Sequence, residues 1–222
     1  LTTLKYAYLY AKTVTLGKTH WPETNRVMLR NRRIGCSVSG IAQFITHRGQ
    51  GELRRWLEEG YDAIQKYDKN YSDWMAVPRS IKTTSVKPSG TVSLLAGATP
   101  GLHYPESRFY IRRIRLSVNS PLIKPLEKAG YKIEPAFGSE DSTVVVDVPV
   151  DVGEGIRTVN DVSMWEQMCL AAFMQRNWAD NQVSCTVTFD PEKEGRHLAS
   201  ALDYFQYQLK GISFLPKMEL GA

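Results

Sequence analysis

The most informative part of the sequence is KTTSVKPSGTVSLLAGATPG, at residues 82–101. Its β-branched beginning predicts a strand, and Pro88-Ser89-Gly90-Thr91 then leads into an apolar run that predicts a helix. The first turn of a helix has unpaired backbone N–H groups and the positive end of the helix dipole. This order of elements is therefore suited to holding an anion such as a phosphate.

Three residues of this loop have groups that suit a phosphate. Gly90 lets the backbone approach a ligand closely, and the hydroxyls of Ser89 and Thr91 can cap the helix or donate to phosphate oxygens. An ordinary capped helix after a tight turn uses the same groups without any ligand. From these residues alone, that alternative stays open.

Strand-like and helix-like segments alternate along the chain. Strands are predicted near residues 34, 83, 109, 144 and 184, with helix-like apolar spacing between them. The longest predicted helix covers residues 52–74, and a capping-box pattern at Ser163 and Glu166 marks the start of another. The alternation predicts an α/β fold with a largely parallel sheet. No linker or internal repeat is visible, so residues 1–222 are expected to form a single region.

The composition is that of a globular protein and not of a membrane protein. The chain has 222 residues, of which 42% are hydrophobic, enough to bury a sizeable core. No apolar run approaches the roughly 20 residues that span a bilayer, and no signal-peptide pattern opens the chain. We therefore expect a soluble, cytoplasmic protein with no membrane partner.

The cysteines and histidines do not predict a metal site. Cys36, Cys169 and Cys185 are widely spaced and form no C-x-x-C pair, so reduced thiols are expected. Cys169 falls in a helix-like pattern and Cys185 in a strand-like one, and both are expected to be buried as small hydrophobes. The four histidines show no ligand spacing with one another or with the cysteines, so no metal ligand is predicted.

The formal net charge is +5, and several arginines gather in RFYIRRIR at residues 108–115. Arginine interleaved with aromatic residues is one pattern of nucleic-acid binding, through phosphate pairing and base stacking. The pattern also fits an amphipathic strand with one solvated face, or an anionic small-molecule pocket. A basic nucleic-acid-binding module is therefore an alternative function for this chain.

Three stretches together resemble one family: NRRIGCSVSG at residues 31–40, the stretch at 82–101, and WADNQVSCT at 178–186. The chain resembles the class II ribonucleotide reductases, in particular the monomeric, adenosylcobalamin-dependent ribonucleoside-triphosphate reductases. The resemblance extends from Leu1 to about Pro216. Three motifs in the right order are more specific than any one of them, and they favour the phosphate interpretation of the loop at Pro88.

The resemblance implies both a fold and a role for this loop. The family's catalytic domain is a ten-stranded α/β barrel made of two five-stranded halves, and the five predicted strands would form the second half. The implied substrate-phosphate site, called here the phosphate loop, consists of Pro88, Ser89, Gly90, Thr91, Val92 and Ser93. The implied contacts are backbone N–H donation from Gly90, Thr91 and Val92, hydroxyl donation from Ser89, Thr91 or Ser93, and added charge from Lys87.

The resemblance also implies a reaction, the reduction of ribonucleoside triphosphates to 2'-deoxyribonucleoside triphosphates for DNA replication. Adenosylcobalamin generates a cysteine thiyl radical that removes the 3'-hydrogen of the ribose, and a cysteine pair supplies the reducing equivalents. The implied partners are a ribonucleoside triphosphate, a thioredoxin-type reductant and the N-terminal half of the enzyme. Contacts to the cobalamin on this chain are not implied by any of the three stretches.

The sequence departs from the family in its cysteines. The finger-loop motif Asn-Pro-Cys-x-Glu does not occur, and Cys36, Cys169 and Cys185 match neither the radical nor the reducing cysteines, so no catalytic residue is expected in this chain. We expect a fragment or a subunit of a split enzyme, inactive alone; a chain that only binds, or an inactive structural remnant, is the alternative. Half a barrel leaves edge strands and inner faces uncovered, so the isolated chain is expected to be poorly soluble or oligomeric.

Overall fold

The structure, a computed structural model, describes residues 1–90 and 92–217. Its helices are α1 (Thr2–Val14), α2 (Pro22–Asn31), α3 (Ile41–Met75), α4 (Val92–Leu95), α5 (Ile123–Lys128), α6 (Met164–Asn177) and α7 (Leu198–Phe205). The strands are β1 (Phe109–Ser117), β2 (Lys132–Pro135), β3 (Thr143–Asp151), β4 (Thr186–Phe189) and β5 (Ser213–Pro216). Helices and strands are thus mixed along the chain, as an α/β protein requires.

Four extended segments lie side by side and parallel, and they are called here the parallel array. Cys36 pairs with Thr84, and Val86 pairs with Val183, each as a parallel bridge. β4 then continues the third segment and pairs in parallel with β5. The amide of Ile34 donates to Lys82 O at 2.8 Å, and that of Ser184 donates to Val86 O at 2.8 Å. The predicted strands near residues 34, 83 and 184 are therefore confirmed as parallel neighbours.

The predicted strands near residues 109 and 144 do not join the parallel array. They form β1 and β3, which pair antiparallel from Phe109 with Asp151 to Ser117 with Thr143, and β2 pairs antiparallel with β3 on the other side. The prediction of one parallel sheet with five strands was wrong for these two runs. The strands β2 and β5 were not predicted, because four residues are too few to show a clear alternation of polar and apolar side chains.

The long helix α3 consists of two helical stretches that meet at a kink. The polar residues 47–51 predict a loop before the helix at residue 52, and the kink lies within them, at Gly49, whose φ of 81° and ψ of 162° are not helical. Glycine tolerates this conformation because it has no Cβ. Within residues 1–90 and 92–217, no helix is both long enough and apolar enough to cross a bilayer.

The main core joins the parallel array to the helices. Tyr8 of α1, Ile64 of α3, Met168 of α6 and Val187 of β4 belong to one cluster of buried side chains. α6 begins as the sequence predicts, since the Ser163 side chain accepts a hydrogen bond from the Glu166 amide. Its methionines fill the irregular space against the short strands, which suits their flexible side chains.

A buried ion pair fixes α1 on α3. Lys12 is fully buried, and its Nζ lies 2.7 Å from Oδ1 of Asp68. The same ammonium donates to Pro78 O and to Ser80 Oγ, while the Tyr8 hydroxyl donates to Asp68. Burial raises the pKa of Tyr8, which keeps this hydroxyl protonated as a donor. A buried charge is tolerated here because it is paired and hydrogen-bonded.

Candidate phosphate-binding loop

The phosphate loop follows the second segment of the parallel array, and the chain is anchored just before the loop and again beyond α4. The Lys87 amide donates to Ser37 Oγ at 2.9 Å, and the Gly101 amide donates to Ser39 Oγ at 3.4 Å. Ser37 and Ser39 follow the first segment, at its carboxyl end. The loop therefore lies at the carboxyl ends of two neighbouring parallel segments, where ligand sites of α/β sheets are commonly found.

The helix that follows the loop is shorter than the sequence suggests. α4 has four residues, and its start is held by the Ser93 amide, which donates to Ser89 O at 3.2 Å. The Ser93 hydroxyl also donates to Ser89 O, and Ser93 is only 4% exposed. A hydroxyl has a single hydrogen to donate, so that of Ser93 is used inside the loop.

The backbone amides expected to contact phosphate remain available on either side of residue 91. Within the described residues, the amides of Gly90 and Val92 donate no hydrogen bond to the protein. Thr91 lies outside the described residues. Ser89 has a φ of 43°, a left-handed conformation that is uncommon for a residue other than glycine. Such conformations are found most often at turns and ligand sites.

Gln43, which the sequence did not single out, fixes the segment that follows α4. Gln43, in the first turn of α3, accepts a hydrogen bond from the Thr99 amide at 2.8 Å. Its Nε2 donates to Gly97 O at 3.1 Å and to Val152 O at 2.9 Å. One amide group thus links α3, the segment after α4 and the end of β3. No local sequence pattern marks Gln43, because its partners come from distant parts of the chain.

A cavity opens between the phosphate loop and the antiparallel sheet. It has a volume of about 710 Å³, and most of its lining is apolar, including Leu94, Leu116 and Val148. Gly90 and Arg112 also line it. Nη2 of Arg112 donates to Gly90 O at 2.8 Å. A cationic group of the cavity lining therefore touches the phosphate loop.

Of the other three arginines of residues 108–115, two are paired with carboxylates and so do not form an unopposed basic surface. Arg108 pairs with Asp151 at 3.1 Å, and Arg113 pairs with Asp147 at 3.2 Å. Because the side chains alternate between the two faces of β1, Arg112 and Arg113 lie on opposite faces. This arrangement does not favour the nucleic-acid alternative.

The WADNQ motif, at residues 178–182, serves the fold. The Trp178 indole donates to Ser85 O at 3.0 Å. Asn181 Nδ2 donates to Ile34 O at 2.7 Å and to Thr84 O at 2.8 Å. These bonds tie the first three segments of the parallel array together. They thereby fix the strand end from which the phosphate loop departs.

The three cysteines differ in their surroundings. Cys185 is buried, as predicted, and burial raises its pKa to about 12. Cys169 is exposed, so the expectation that it is buried was wrong: it lies on the outer face of α6, between buried Met168 and Leu170. Cys36 is partly buried, and burial raises its pKa as well. A raised pKa keeps a thiol protonated and unreactive.

Several proteins similar to this chain are described as adenosylcobalamin-dependent ribonucleoside-triphosphate reductases. The chain is 64% identical over 220 residues to the adenosylcobalamin-dependent ribonucleoside-triphosphate reductase of Euglena gracilis, in an alignment that covers 99% of this chain and 30% of that protein. It is 65% identical to a probable reductase of the same kind from Dictyostelium discoideum, over 97% of this chain and 28% of that protein. A bacterial relative from Levilactobacillus brevis is 36% identical over 93% of this chain and 31% of that protein.

The fold is similar to that of a solved structure of the same kind. A crystal structure of a B12-dependent, class II ribonucleotide reductase superposes with a TM-score of 0.85 at 32% identity, over all of this chain and 35% of that one. The chain aligns with one segment of each of these reductases. It spans about a third of the length of the reductases it matches. No family-wide sequence profile matches it.

These reductases depend on adenosylcobalamin, which contains cobalt. Histidine can bind such a metal, and His103 follows the phosphate loop in the chain. Its Nδ1 lies 3.2 Å from Pro100 O, and its Nε2 accepts from the Thr186 amide at 3.3 Å. Both ring nitrogens are thus engaged within the fold. Burial lowers the pKa of His103, which keeps the ring neutral. His103 therefore does not fit a cobalt ligand.

Proposed function

We propose that this chain is the part of an adenosylcobalamin-dependent ribonucleoside-triphosphate reductase that binds the substrate phosphates. The observation that supports this most directly is the phosphate loop, which leaves the amides of Gly90 and Val92 without a described protein partner at the carboxyl end of a parallel segment. The loop belongs to a chain that is 64% identical to such a reductase. A phosphate is the ligand that such amides favour.

The proposal assigns the contacts within the loop. Gly90 and Val92 would donate their backbone N–H groups, with Thr91 as a third donor by resemblance to the family. Ser89 would contribute its hydroxyl, whereas the Ser93 hydroxyl would hold the loop through Ser89 O. Pro88 would fix the backbone where the strand ends, because its ring restricts φ.

The parallel array is proposed to be part of the second half of the family's ten-stranded barrel. The support is that its four segments are all parallel and lie in chain order, which is how strands of an α/β barrel are arranged. The antiparallel sheet of β1, β2 and β3 would then lie outside the barrel wall, beside the phosphate loop.

The whole reaction needs groups that this chain does not supply. The radical cysteine, the reducing cysteines and the cobalamin contacts would come from the remainder of the enzyme, and a thioredoxin-type protein would regenerate the reductant. The three free cysteines suit a reducing compartment, and a cytoplasmic location is part of this proposal. A ribonucleoside triphosphate, rather than a diphosphate, is the proposed substrate.

Nucleotide binding by the 222-residue chain tests this function. We expect ATP or CTP to bind, and Gly90→Leu to weaken binding, because a side chain at position 90 would occupy the ligand's place and meet the Arg112 guanidinium, 3.3 Å from a Cβ built there. The melting temperature checks that the variant is folded. Gly51→Leu is the matched control, since a Cβ at Gly51 meets nothing within 4 Å. Equal affinity for Gly90→Leu and the original chain would contradict the proposal.

A salt titration separates this function from nucleic-acid binding. A module that binds RNA or DNA through residues 108–115 would show a steep loss of oligonucleotide affinity with salt and would tolerate Gly90→Leu. An inactive remnant would bind neither nucleotide nor oligonucleotide. Adenosylcobalamin-dependent formation of deoxynucleotide, on co-expression with the remaining segments of the Euglena gracilis relative, would test the reductase assignment itself.

A further inference from the structure

Arg112 reaches the phosphate loop from the antiparallel sheet. Its Nη2 donates to Gly90 O at 2.8 Å, and a Cβ built on Gly90 would lie 3.3 Å from Nη2 and 4.0 Å from Nη1. The guanidinium therefore packs against the bare α-carbon of Gly90. A larger residue at position 90 would displace it.

The charge of Arg112 has no carboxylate partner within residues 1–90 and 92–217. Arg113 of β1 is bound by Asp147, and Arg108, just before β1, by Asp151. Arg115 also has no carboxylate partner among the described residues, but it lies on the exposed face of β1, in water. Of the five N–H donors of an arginine, Arg112 uses only one on a described residue.

The surroundings of Arg112 are unfavourable for a cation that has no anionic partner. Arg112 is half-buried on the sheet face that carries Tyr110, Ile114 and Leu116, and it lines the same largely apolar cavity as Gly90. A cation that is partly removed from water is stabilised when an anion supplies the missing partner. Arginine is also the side chain best suited to phosphate, because its planar fork donates two parallel hydrogen bonds.

We propose that Arg112 is an anion-binding residue of the phosphate loop, contacting a phosphate group of the bound nucleotide while its Nη2 holds the Gly90 carbonyl. The inference rests on the proposed function and adds to it a cationic contact supplied by the antiparallel sheet. It gives the sheet a role in ligand binding, although the sheet lies outside the parallel array. It also gives a second reason for glycine at position 90, which is to leave room for the guanidinium.

Binding of inorganic tripolyphosphate and of ATP to the 222-residue chain tests this inference by calorimetry. We expect Arg112→Met to weaken both by about tenfold or more, the effect of losing a charge-assisted hydrogen bond. Arg112→Lys keeps the charge but not the forked geometry of the guanidinium. Its affinity should therefore lie between that of the original chain and that of Arg112→Met. Arg113→Met is the matched control, because it removes the same charge from the adjacent position on the opposite face of β1.

The salt dependence distinguishes a direct contact from a structural role. If Arg112 contacts phosphate, the loss of affinity with rising salt becomes shallower in Arg112→Met than in Arg113→Met; a role in shaping the loop alone leaves the slope unchanged and overturns the inference. Equal affinities for Arg112→Met and Arg113→Met also overturn it, while the proposed function stands because the original chain binds. Absence of binding by the original chain overturns both.

Discussion

Gly101 lies so close to Lys87 that a Cβ added to it would be 2.4 Å from the Lys87 carbonyl oxygen. The contact brings the segment after α4 back onto the residue that opens the phosphate loop. Gly101 also has a φ of 54°, a conformation that other residues adopt only with strain. The shape of the phosphate loop therefore depends on a residue that lies beyond the short helix following it.

Gly101→Ala is expected to destabilise the chain by more than the strain of a positive φ, which alone costs about 1–2 kcal/mol. The added clash is with backbone, which cannot move aside as a flexible side chain can. Gly97→Ala is the control, since Gly97 has a φ of 64° but a Cβ there meets nothing within 4 Å. Urea denaturation of both variants measures the difference, and equal losses of stability would argue against the close contact.

Lys12→Met is expected to destabilise the chain by about 3–5 kcal/mol, because it leaves the Asp68 carboxylate buried without its cation. The Tyr8 hydroxyl and the Ser80 amide would still bind Asp68, but neither carries a charge. The double variant Lys12→Met with Asp68→Leu should recover much of the loss, since an apolar pair needs no compensation. Denaturant unfolding measures both, and a neutral single variant would show that the pair is not buried as described.

The partly buried ring of His103 is expected to make the chain less stable in mild acid. Burial lowers its pKa, and the hydrogen bond to Pro100 O only partly offsets this. As the pH falls through about 6.5, the unfolded chain takes up a proton on this histidine whereas the folded chain does not, so stability decreases until the pH passes the lowered pKa of the folded state. His103→Gln should remove this part of the slope in melting temperature against pH. An identical slope in both proteins would mean that His103 does not titrate in this way.

The cysteines are expected to react at very different rates with a thiol reagent. Cys169 is exposed and should react first, although burial and nearby Glu166 raise its pKa. Cys185 should be protected in the folded chain, because its pKa is about 12 and its side chain is buried. Cys169→Ser should abolish the fast phase of labelling, as followed by mass spectrometry. Fast labelling of Cys185 in the native chain would contradict the packing around β4.

Self-association of the purified chain is expected from its exposed apolar side chains. Phe137 is 95% exposed and Tyr207 93% exposed, and Trp21 and Trp74 are also largely exposed. Apolar surface of this kind favours contact with another molecule. Sedimentation at rising concentration should show oligomers, and the combined change Phe137→Ser with Tyr207→Ser should reduce them. A monodisperse monomer with a cooperative melt would contradict the expectation.

The sequence predicts the parts of the fold that depend on short-range pattern. The strands near residues 34, 83 and 184 follow from β-branched runs, and the start of α6 follows from Ser163 and Glu166. The antiparallel pairing of β1 with β3 was missed, although the alternation along β1 favours an antiparallel sheet with one solvated face. The break at Gly49, by contrast, follows from the polar, glycine-containing residues 47–51.

The sequence predicts the position of the phosphate loop but not the side chains that support it. Pro88 to Gly90 can be recognised from residue type and order, whereas Gln43 and Arg112 reach this region from α3 and β1, respectively. Side chains recruited across the fold leave no local pattern. The role of WADNQ in holding the parallel array together likewise depends on hydrogen bonds between segments that are far apart in the chain.

Gln43 links backbone segments that are far apart in the sequence. Its single carboxamide bonds to three pieces of backbone, at Gly97, Thr99 and Val152, so none of them can shift without straining the others. The segment after α4 and the residue that follows β3 are therefore expected to move together rather than independently.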